Sequence, residues 1–324
     1  MGARQRAYGC SLLETRNRMV DVSVIICTRN RASAVIASLA SVAAAAEASA
    51  GRDIELVVVD NASTDDTHAV IEFWSNSVAL PVRLVREDRK GLAVARNSGV
   101  RESCGAILAF TDDDCRLAPD YFRALHGLFA PDAGMVVRGG RVDLGDPRDL
   151  PFTIKTDPAP SVYTGEQHPG GFIHGCNMAM TRATFDHVGP FDERFGAGAP
   201  CEAGEDTDYL YRAHLAGIAV EYTPSLIVAH FHGRRSRAEI MKLNGIYARG
   251  NGALYLKHAR HWQLFRNFVW DLKGSARELV GGAPIDAVFG FTYRANVIGC
   301  VRGMVRFATV MLRDAVRGRR QQQV

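Results

Sequence analysis

Three consecutive carboxylates, Asp112, Asp113 and Asp114, directly follow the apolar run at residues 106–111. A buried strand would deliver these acids at its carboxyl end, where α/β sheets bind ligands. Oxygen ligands in an Asp-x-Asp arrangement suit hard cations such as Mg²⁺ or Mn²⁺, which neutralise phosphate charge on a substrate. Alternatively, the acids precede the helix predicted after Pro119, because carboxylates stabilise a helix amino terminus. The triplet alone leaves both interpretations open.

A second stretch of acids, Glu202, Glu205, Asp206 and Asp208, precedes apolar residues at helical spacing. Capping and the helix dipole explain such acids without catalysis. A carboxylate in this position can also take a proton from a hydroxyl group that attacks a substrate. Residue types and spacing alone favour the helix-start interpretation and leave the chemical one open.

Two histidines, His230 and His232, end a strand-like segment that begins at Pro224. Imidazole is a plausible partner to carboxylates on Mn²⁺. The alternative is a pair of ordinary surface histidines. His174 stands alone, and a lone histidine is more typical of a structural role than of catalysis.

The elements that must position these side chains alternate between strands and helices. Apolar, β-branched runs predict four strands, and helical spacing predicts three helices between them. Such alternation indicates an α/β fold with a doubly wound, mostly parallel sheet flanked by helices. The predicted strands lie at residues 22–28, 54–60, 82–85 and 106–110, and the helical patterns at 31–49, 64–74 and 92–100.

Polar side chains stand at the ends of these elements and would outline one pocket. An acid after the second strand, Asp60, can accept a hydrogen bond from a nucleobase or ribose, and Arg96 can face a diphosphate. A cap or turn role is the alternative for Ser63, and an ordinary surface charge is the alternative for both Arg29 and Arg96. The full set comprises Thr28, Arg29, Asn30, Asp60, Ser63, Arg96 and the acids 112–114.

Across roughly residues 22–232, the chain resembles glycosyltransferase family 2. The resemblance implies the GT-A fold of nucleotide-diphospho-sugar transferases, sugar transfer with inversion at the anomeric carbon, and Mn²⁺ or Mg²⁺ as cofactor. Two later blocks, around residues 175–182 and 204–206, follow the first four in order. Those four are Val24-Ile-Ile-Cys-Thr-Arg-Asn30, Val58-Val-Asp-Asn-Ala-Ser-Thr-Asp65, Gly91-Leu-Ala-Val-Ala-Arg-Asn97 and Phe110-Thr-Asp-Asp-Asp114.

The resemblance also implies roles for individual residues at the donor side. Arg96 would contact the diphosphate, Asp114 would bind the metal directly, and Asp112 would lie near the ribose or donor sugar. His230 is the first choice for an additional metal ligand and His232 the fallback. The implied metal ligands are Asp114, Asp112 and His230, and the implied nucleotide-binding residues are Thr28, Arg29, Asn30, Asp60, Ser63, Arg96, Asp112 and Asp113.

On the acceptor side, the resemblance assigns the base to the second acid of the Glu-Asp pair. An inverting transfer needs one base to deprotonate the acceptor hydroxyl. Asp206 is therefore the predicted base and Glu205 positions the acceptor, while Asp208 caps or packs and Glu202 is a weaker candidate. Gly175 and Asn177 would line the sugar and acceptor pocket, although a buried asparagine can equally hold a neighbouring loop.

Composition excludes several classes of protein. A chain of 324 residues with 47% hydrophobic content is long enough for a large core and does not read as disordered. Seven scattered cysteines without a C-x-x-C pair argue for reduced thiols in a cytosolic compartment. We find neither a signal-peptide h-region nor an uncharged apolar stretch of spanning length, and so expect a cytoplasmic protein.

The net charge of +4 is distributed unevenly: residues 234–324 hold 17 Lys/Arg against 5 Asp/Glu, and the preceding residues hold 22 against 30. Basic amphipathic helices suit an anionic membrane surface, so the protein could be peripheral on the inner face of the cell membrane. The alternative is packing on the catalytic domain. One apolar face is predicted to hold Val297, Val301, Met304, Val305, Ala308, Met311 and Leu312. The predicted regions are a loose segment at 1–20, a catalytic domain at 21–233 (nucleotide half 21–115, acceptor half 116–233) and a helical extension at 234–324.

The sequence therefore predicts an inverting, metal-dependent glycosyltransferase. Its partners would be a nucleoside diphosphate sugar, a saccharide or lipid-linked acceptor and an anionic membrane surface, with no nucleic acid. One alternative is a nucleotidyltransferase that makes sugar nucleotides, although the glycine-rich loop typical of that class does not follow the first strand. Another is a non-catalytic protein that binds sugar nucleotides or membranes on the same fold.

Overall fold

A computed structural model describes residues 20–49, 53–130 and 133–321 of the chain. Residues 1–19 of the predicted loose segment therefore lie outside the described residues. The first elements are β1 (Val22–Thr28), α1 (Val35–Ala48), β2 (Ile54–Asn61), α2 (Thr67–Ser75), β3 (Val82–Glu87), α3 (Leu92–Glu102) and β4 (Ile107–Asp112). Next come β5 (Cys115–Leu117), α4 (Tyr121–Leu128), β6 (Val136–Leu144), β7 (Ser161–Val162), β8 (Asn177–Thr181), α5 (Arg182–Val188), α6 (Glu205–Leu215) and β9 (Ala219–His230). Three helices follow: α7 (Arg237–Lys257), α8 (Trp262–Glu278) and α9 (Tyr293–Gln321).

The strands form one sheet in the order β3-β2-β1-β4-β8-β6-β9-β5, with β7 paired to β9. The strands β3, β2, β1 and β4 are mutually parallel, which confirms the predicted doubly wound half. Beyond β4 the sheet is mixed, since β8 is antiparallel to both β4 and β6, whereas β6 and β9 are parallel. The parallel half thus brings the carboxyl ends of four strands to one edge.

Helices cover both faces of this sheet, which explains why its central strands are mostly apolar on both faces rather than alternating. Along β1, Ile25 joins the core under α3 and α6, while Val24 and Ile26 join the core under α1 and α4. All eight residues of β2 are buried. Because successive side chains of a strand point to opposite faces, each central strand contributes residues to both cores.

The helix α1 begins at Val35, four residues later than its alanine-rich pattern predicts. Asn30 has a left-handed backbone with φ of 53°, and the next amide groups bond to side chains instead of a helix ladder. The Arg31 amide donates to Thr67 Oγ1 at 2.8 Å, and the Ala32 amide donates to Asp65 at 3.3 Å. The Arg31 side chain consequently leaves the helix surface and reaches the sheet edge.

The basic C-terminal helices pack on the rest of the fold. In α9, Cys300, Gly303 and Phe307 are buried, and Phe307 contacts Phe195 with ring centroids 5.7 Å apart. The prediction that the apolar side chains of α9 share one face is therefore wrong in part, because Val301 and the other apolar side chains on the flank of α9 stay exposed. Residues 293–316 are long and apolar enough to cross a membrane, which the sequence analysis did not predict. The core helix of a soluble protein can have the same length and composition.

The sequence predicts reduced thiols, and one of the described cysteines differs from this prediction. Five of them, Cys27, Cys115, Cys176, Cys201 and Cys300, are free thiols, as expected. Cys104 is disulfide-bonded, which scattered spacing alone did not indicate.

Candidate active site

The ends of β1 and β4 are tied together by the middle acid of the triplet. Thr28 Oγ1 donates to Asp113 Oδ2 at 2.6 Å, and Ser38 Oγ in α1 donates to the Asp113 carbonyl at 2.7 Å. Burial raises the pKa of Asp113 to about 6, although the Thr28 hydrogen bond opposes it. Asp113 therefore anchors the turn that carries Asp112 and Asp114.

The end of β2 carries Asp60, which is almost fully buried. Its Oδ1 accepts from the Ser63 amide at 3.1 Å, and its Oδ2 lies 3.1 Å from His68 Nδ1. His68 was not predicted, and only its position in the first turn of α2 could have suggested it. Asp60 is thus held by its own turn on one side and by an imidazole on the other.

The adjoining loop after β1 is locked to the loop after β2. Asn30 Oδ1 accepts from the Thr64 amide at 2.8 Å, and the Asn30 amide donates to Ser63 Oγ at 3.0 Å. Arg29 is exposed, and its Nε donates to the Ala62 carbonyl at 3.3 Å. Asn30 and Ser63 therefore fix the turn, as the cap-or-turn interpretation of Ser63 anticipated, while a nucleoside contact from either loop stays a prediction.

Arg96, in α3, lies at the centre of the site and is 3% exposed. Its Nη1 donates to Glu205 Oε1 at 2.8 Å, and its Nη2 lies 3.4 Å from Asp112 Oδ1. It thereby joins the sheet edge to the start of α6. Burial and the neighbouring Asp206 charge raise the pKa of Glu205 to about 7, against the opposing effect of Arg96.

The predicted base, Asp206, is oriented through both carboxylate oxygens. The Gly175 amide donates to Oδ2 at 3.0 Å, and the Thr207 amide donates to Oδ1 at 2.6 Å. A Cβ at position 175 would come within 2.8 Å of Arg96 Nη2 and 3.0 Å of Asp206 Oδ2. Glycine at this position therefore lets the backbone approach both side chains without displacing them.

His174 also lies beside the base. Its imidazole is buried, which lowers its pKa to about 4, while the nearby Asp206 charge acts in the opposite direction. A neutral ring is thus favoured at neutral pH. The low pKa makes His174 a weak base, which agrees with the structural interpretation, and its role stays a prediction.

Asp114 and His230 meet across neighbouring strands. The pairing of β5 with β9 sets Cys115 opposite His230, and His230 Nε2 lies 3.3 Å from Asp114 Oδ1. Burial lowers the pKa of His230, but the Asp114 hydrogen bond and the neighbouring negative charges together outweigh it and raise the value to about 9. Burial likewise raises the pKa of Asp114, but the His230 hydrogen bond and the nearby positive charges together lower it below its usual range.

These groups fit a divalent cation. Asp112, Asp114 and His230 offer two carboxylates and an imidazole, and their mutual electrostatic influence shows that they share one region. That donor set suits Mn²⁺ or Mg²⁺. His232 points elsewhere, since its Nδ1 accepts from the Arg234 amide at 3.0 Å.

Arg31 is a member of the site that sequence reasoning missed. Its Nε lies 3.6 Å from Asp113 Oδ1, and its Nη2 lies 3.6 Å from Asp114 Oδ2. The sequence pattern had placed it in α1. The sequence feature that could have indicated this role is its position directly after Thr28-Arg29-Asn30, at the end of β1.

Three other candidates bond to protein groups around the site. Asn177 is fully buried, and its amide bonds to Tyr121, Arg141 and Leu226, so we assign it the loop-holding role. Glu202 pairs with Arg249 in α7 and Arg306 in α9. Asp208 is enclosed by cations from α6 and α7, as the packing interpretation anticipated.

The chain is similar to known proteins both in sequence and in fold. Residues 23–189 match the family model for glycosyl transferase family 2. The chain is 26% identical over 178 residues to "Glycosyltransferase AglE" of Haloferax volcanii, covering 54% of this chain and 56% of that protein. It is 26% identical over 211 residues to "Succinoglycan biosynthesis protein ExoM" of Rhizobium meliloti, covering 64% and 66%. The chain thus spans between about half and two thirds of the length of these relatives.

Among solved structures, the chain is similar to the mannosyltransferase PcManGT from Pyrobaculum calidifontis, determined in complex with GDP-Man and Mn²⁺. The TM-score is 0.56 at 22% identity, covering 93% of this chain and 76% of that one. The S. aureus protein TarS gives a TM-score of 0.53 at 17% identity, covering 78% and 42%. At this identity the likeness establishes a shared fold.

Proposed function

This chain belongs to glycosyltransferase family 2, and on that premise we propose that it transfers a sugar from a nucleoside diphosphate sugar to an acceptor hydroxyl with inversion. The observation that carries the proposal is that Arg96 bonds to both Glu205 and Asp112, while Asp206 lies against the same glycine, Gly175, that Arg96 approaches. This arrangement brings a cation for phosphate, a metal-binding acid and an oriented carboxylate to one edge of the sheet. Those three functions together are what displacement of a nucleoside diphosphate requires.

Asp206 acts as the base in this proposal. Both of its oxygens are held by main-chain amides, so the carboxylate is presented in one orientation. It takes the proton of the acceptor hydroxyl as that oxygen attacks the anomeric carbon, opposite the departing diphosphate. Glu205, fixed by Arg96, positions the acceptor, and a single displacement inverts the configuration.

The donor diphosphate lies against Arg96 and the Asp112–Asp114 turn in this proposal. A Mn²⁺ or Mg²⁺ ion held by Asp114, Asp112 and His230 would supply Lewis-acid stabilisation of the charge on the departing diphosphate. Arg96 adds a fixed positive charge whose direction is set by its two carboxylate partners. Thr28, Arg29 and Asp60 line the nucleoside side of the same edge. The mannosyltransferase of similar fold, solved with GDP-Man and Mn²⁺, supports this choice of ligand class.

The acceptor is a growing polysaccharide or other glycoconjugate in this proposal. Support comes from the relative described as a succinoglycan biosynthesis protein, which is 26% identical over 211 residues. The donor sugar and nucleotide are left to experiment, because sugar specificity depends on the shape of the pocket.

A donor panel tests the function directly. Purified protein is incubated with uridine, thymidine and guanosine diphosphate sugars, an extract of glycolipid and saccharide acceptors, and Mn²⁺ or a chelator, and nucleoside diphosphate release is measured. We expect release from one donor, loss of release with chelator, and loss in Asp114→Asn. Asp120→Asn, which removes an exposed acid paired with Arg123, serves as the matched control. Absence of release from every donor would contradict the transferase, and release unaffected by chelator would contradict the metal.

We also propose that α9 contacts an anionic membrane surface. Its flank exposes Val301, Val305 and Leu312 between arginines such as Arg302 and Arg306, a combination that suits negatively charged headgroups. α9 also forms part of the core through Phe307, so the test must keep the helix and change only exposed side chains.

The whole chain is expected to float with vesicles that contain phosphatidylglycerol and not with vesicles of phosphatidylcholine alone. Val305→Gln with Leu312→Gln should reduce flotation, because burial of each side chain contributes about 1.5–3 kcal/mol. Val162→Gln, at an exposed site on β7, is the matched control. Flotation that is equal in the double variant and the wild type would rule out this surface.

A further inference from the structure

Two thiols and an imidazole lie together beneath the proposed donor site. Cys115 begins β5, Cys176 immediately precedes β8, and His230 ends β9. All three are buried, at 0%, 5% and 8% exposed. Their ligand atoms all lie within 4.8 Å of one another.

The sheet itself brings these residues together. Cys115 and His230 are direct partners in the antiparallel β5–β9 ladder, where facing side chains have close Cβ atoms. The β4–β8 ladder pairs Thr111 with Asn177, which sets Cys176 beside the end of β4. The cluster is therefore built on strands, which hold ligands more accurately than loops do.

A fourth donor is already in place. Asp114 Oδ1 lies 3.3 Å from His230 Nε2 and 3.9 Å from Cys115 Sγ. Among the described residues, the buried His230 Nδ1 has no hydrogen-bond partner. The three grouped residues supply two sulfurs and one imidazole, and the Asp114 carboxylate, next to two of them, can complete the four ligands that tetrahedral Zn²⁺ takes.

We propose that Cys115, Cys176, His230 and Asp114 form a binding site for a thiophilic divalent ion, with Zn²⁺ as its natural occupant. Thiolate ligands select such an ion over Mg²⁺ and Mn²⁺, which prefer oxygen ligands. Asp114 and His230 are also ligands of the donor metal in the proposed function. The two ions therefore cannot bind at the same time, and this step rests on that proposed function. Zinc would thus displace the hard cation from the donor site.

Cadmium titration tests the site without any sugar nucleotide. Reduced, metal-free protein is titrated with Cd²⁺, and the ultraviolet thiolate-to-cadmium charge-transfer band is recorded. We expect saturation at one ion per chain, displacement by Zn²⁺, and loss of the band in Cys115→Ser and Cys176→Ser. Cys201→Ser and Cys300→Ser, at two other buried free thiols, should retain it. A band that persists in both cluster variants, or disappears equally in the controls, would overturn the site.

A second measurement needs no variant and therefore does not depend on a variant folding. Alkylation of wild-type thiols is followed by mass spectrometry with and without Cd²⁺. We expect protection at Cys115 and Cys176 and unchanged rates at Cys201 and Cys300, and equal rates at all four would refute the proposal. Since neither experiment measures turnover, failure of the transferase proposal would leave both results intact.

Mutual exclusion of the ions is measured by electron paramagnetic resonance of Mn²⁺. Addition of Zn²⁺ is expected to release bound Mn²⁺ in the wild type and not in Cys176→Ser. Simultaneous binding of both ions would contradict the sharing of Asp114 and His230.

Discussion

Asp206→Asn is expected to lower the rate of sugar transfer by about 10²–10⁴-fold while leaving the fold and donor affinity unchanged. The amide is nearly isosteric with the carboxylate, and its oxygen can still accept from the Gly175 amide. It cannot take the proton of the acceptor hydroxyl. Single-turnover rates measure the chemical step, and donor affinity measured by calorimetry separates binding from chemistry.

A second effect should accompany the loss of rate. The charge on Asp206 is one cause of the raised pKa of Glu205, after burial. Removing that charge should lower the pKa of Glu205 from its value of about 7. Observation of the Glu205 carboxyl by NMR titration checks this shift, which a purely steric effect of the substitution would not produce.

The matched control is Asp186→Asn, which changes an exposed acid in α5 and should keep the wild-type rate. A parallel fall in rate and donor affinity in Asp206→Asn would assign Asp206 to donor binding instead. An unchanged rate would remove it from the mechanism altogether.

The parallel half of the fold could be predicted because its signals are local. Apolar runs and turn residues lie within each strand–helix unit, and parallel strands end at one edge. Placement of Thr28, Asp60 and Asp112 along that edge follows from topology alone. The pairing of Arg96 with Glu205 does not, because 109 residues separate them along the chain.

The other half of the site depends on long-range register. The β6–β9 pairing shifts register between Gly140 and Arg141, and β5 pairs antiparallel to β9. A shift of one residue would turn His230 to the opposite face, which no local pattern reveals. The same limit explains why the neighbourhood of Cys115 and Cys176 could not be predicted, since each reads as an isolated buried thiol in sequence.

Asp208→Ala is expected to lower the free energy of unfolding by about 3–5 kcal/mol, since it breaks a buried charge network. Asp208 lies two residues beyond the proposed base, yet its side chain is fully buried. Its carboxylate lies 2.6 Å from Lys257 Nζ, 2.9 Å from Arg212 Nε and 2.9 Å from His258 Nε2. The substitution would leave these cations without their shared partner and loosen α6 from α7.

Urea unfolding measures this loss, and Asp120→Ala, which removes an exposed ion pair with Arg123, should change stability by no more than about 1 kcal/mol. The pH dependence gives a second check. Burial raises the pKa of Asp208, but the His258 hydrogen bond and the Lys257 and Arg212 charges outweigh it and lower the net value. The contribution of Asp208 is therefore fully present above its unfolded pKa of about 3.9 and is lost as the pH falls through the lower folded value.

The roles of Asp206 and Asp208 in α6 should consequently be distinguished by one pair of experiments. Asp206→Asn loses rate and keeps stability, whereas Asp208→Ala loses stability, and its folded fraction retains the chemistry. The difference follows from their partners: two main-chain amides hold Asp206, while Arg212, Lys257 and the His258 imidazole enclose Asp208. Folded Asp208→Ala protein with normal stability and no transfer would reverse that assignment and place Asp208 in the mechanism.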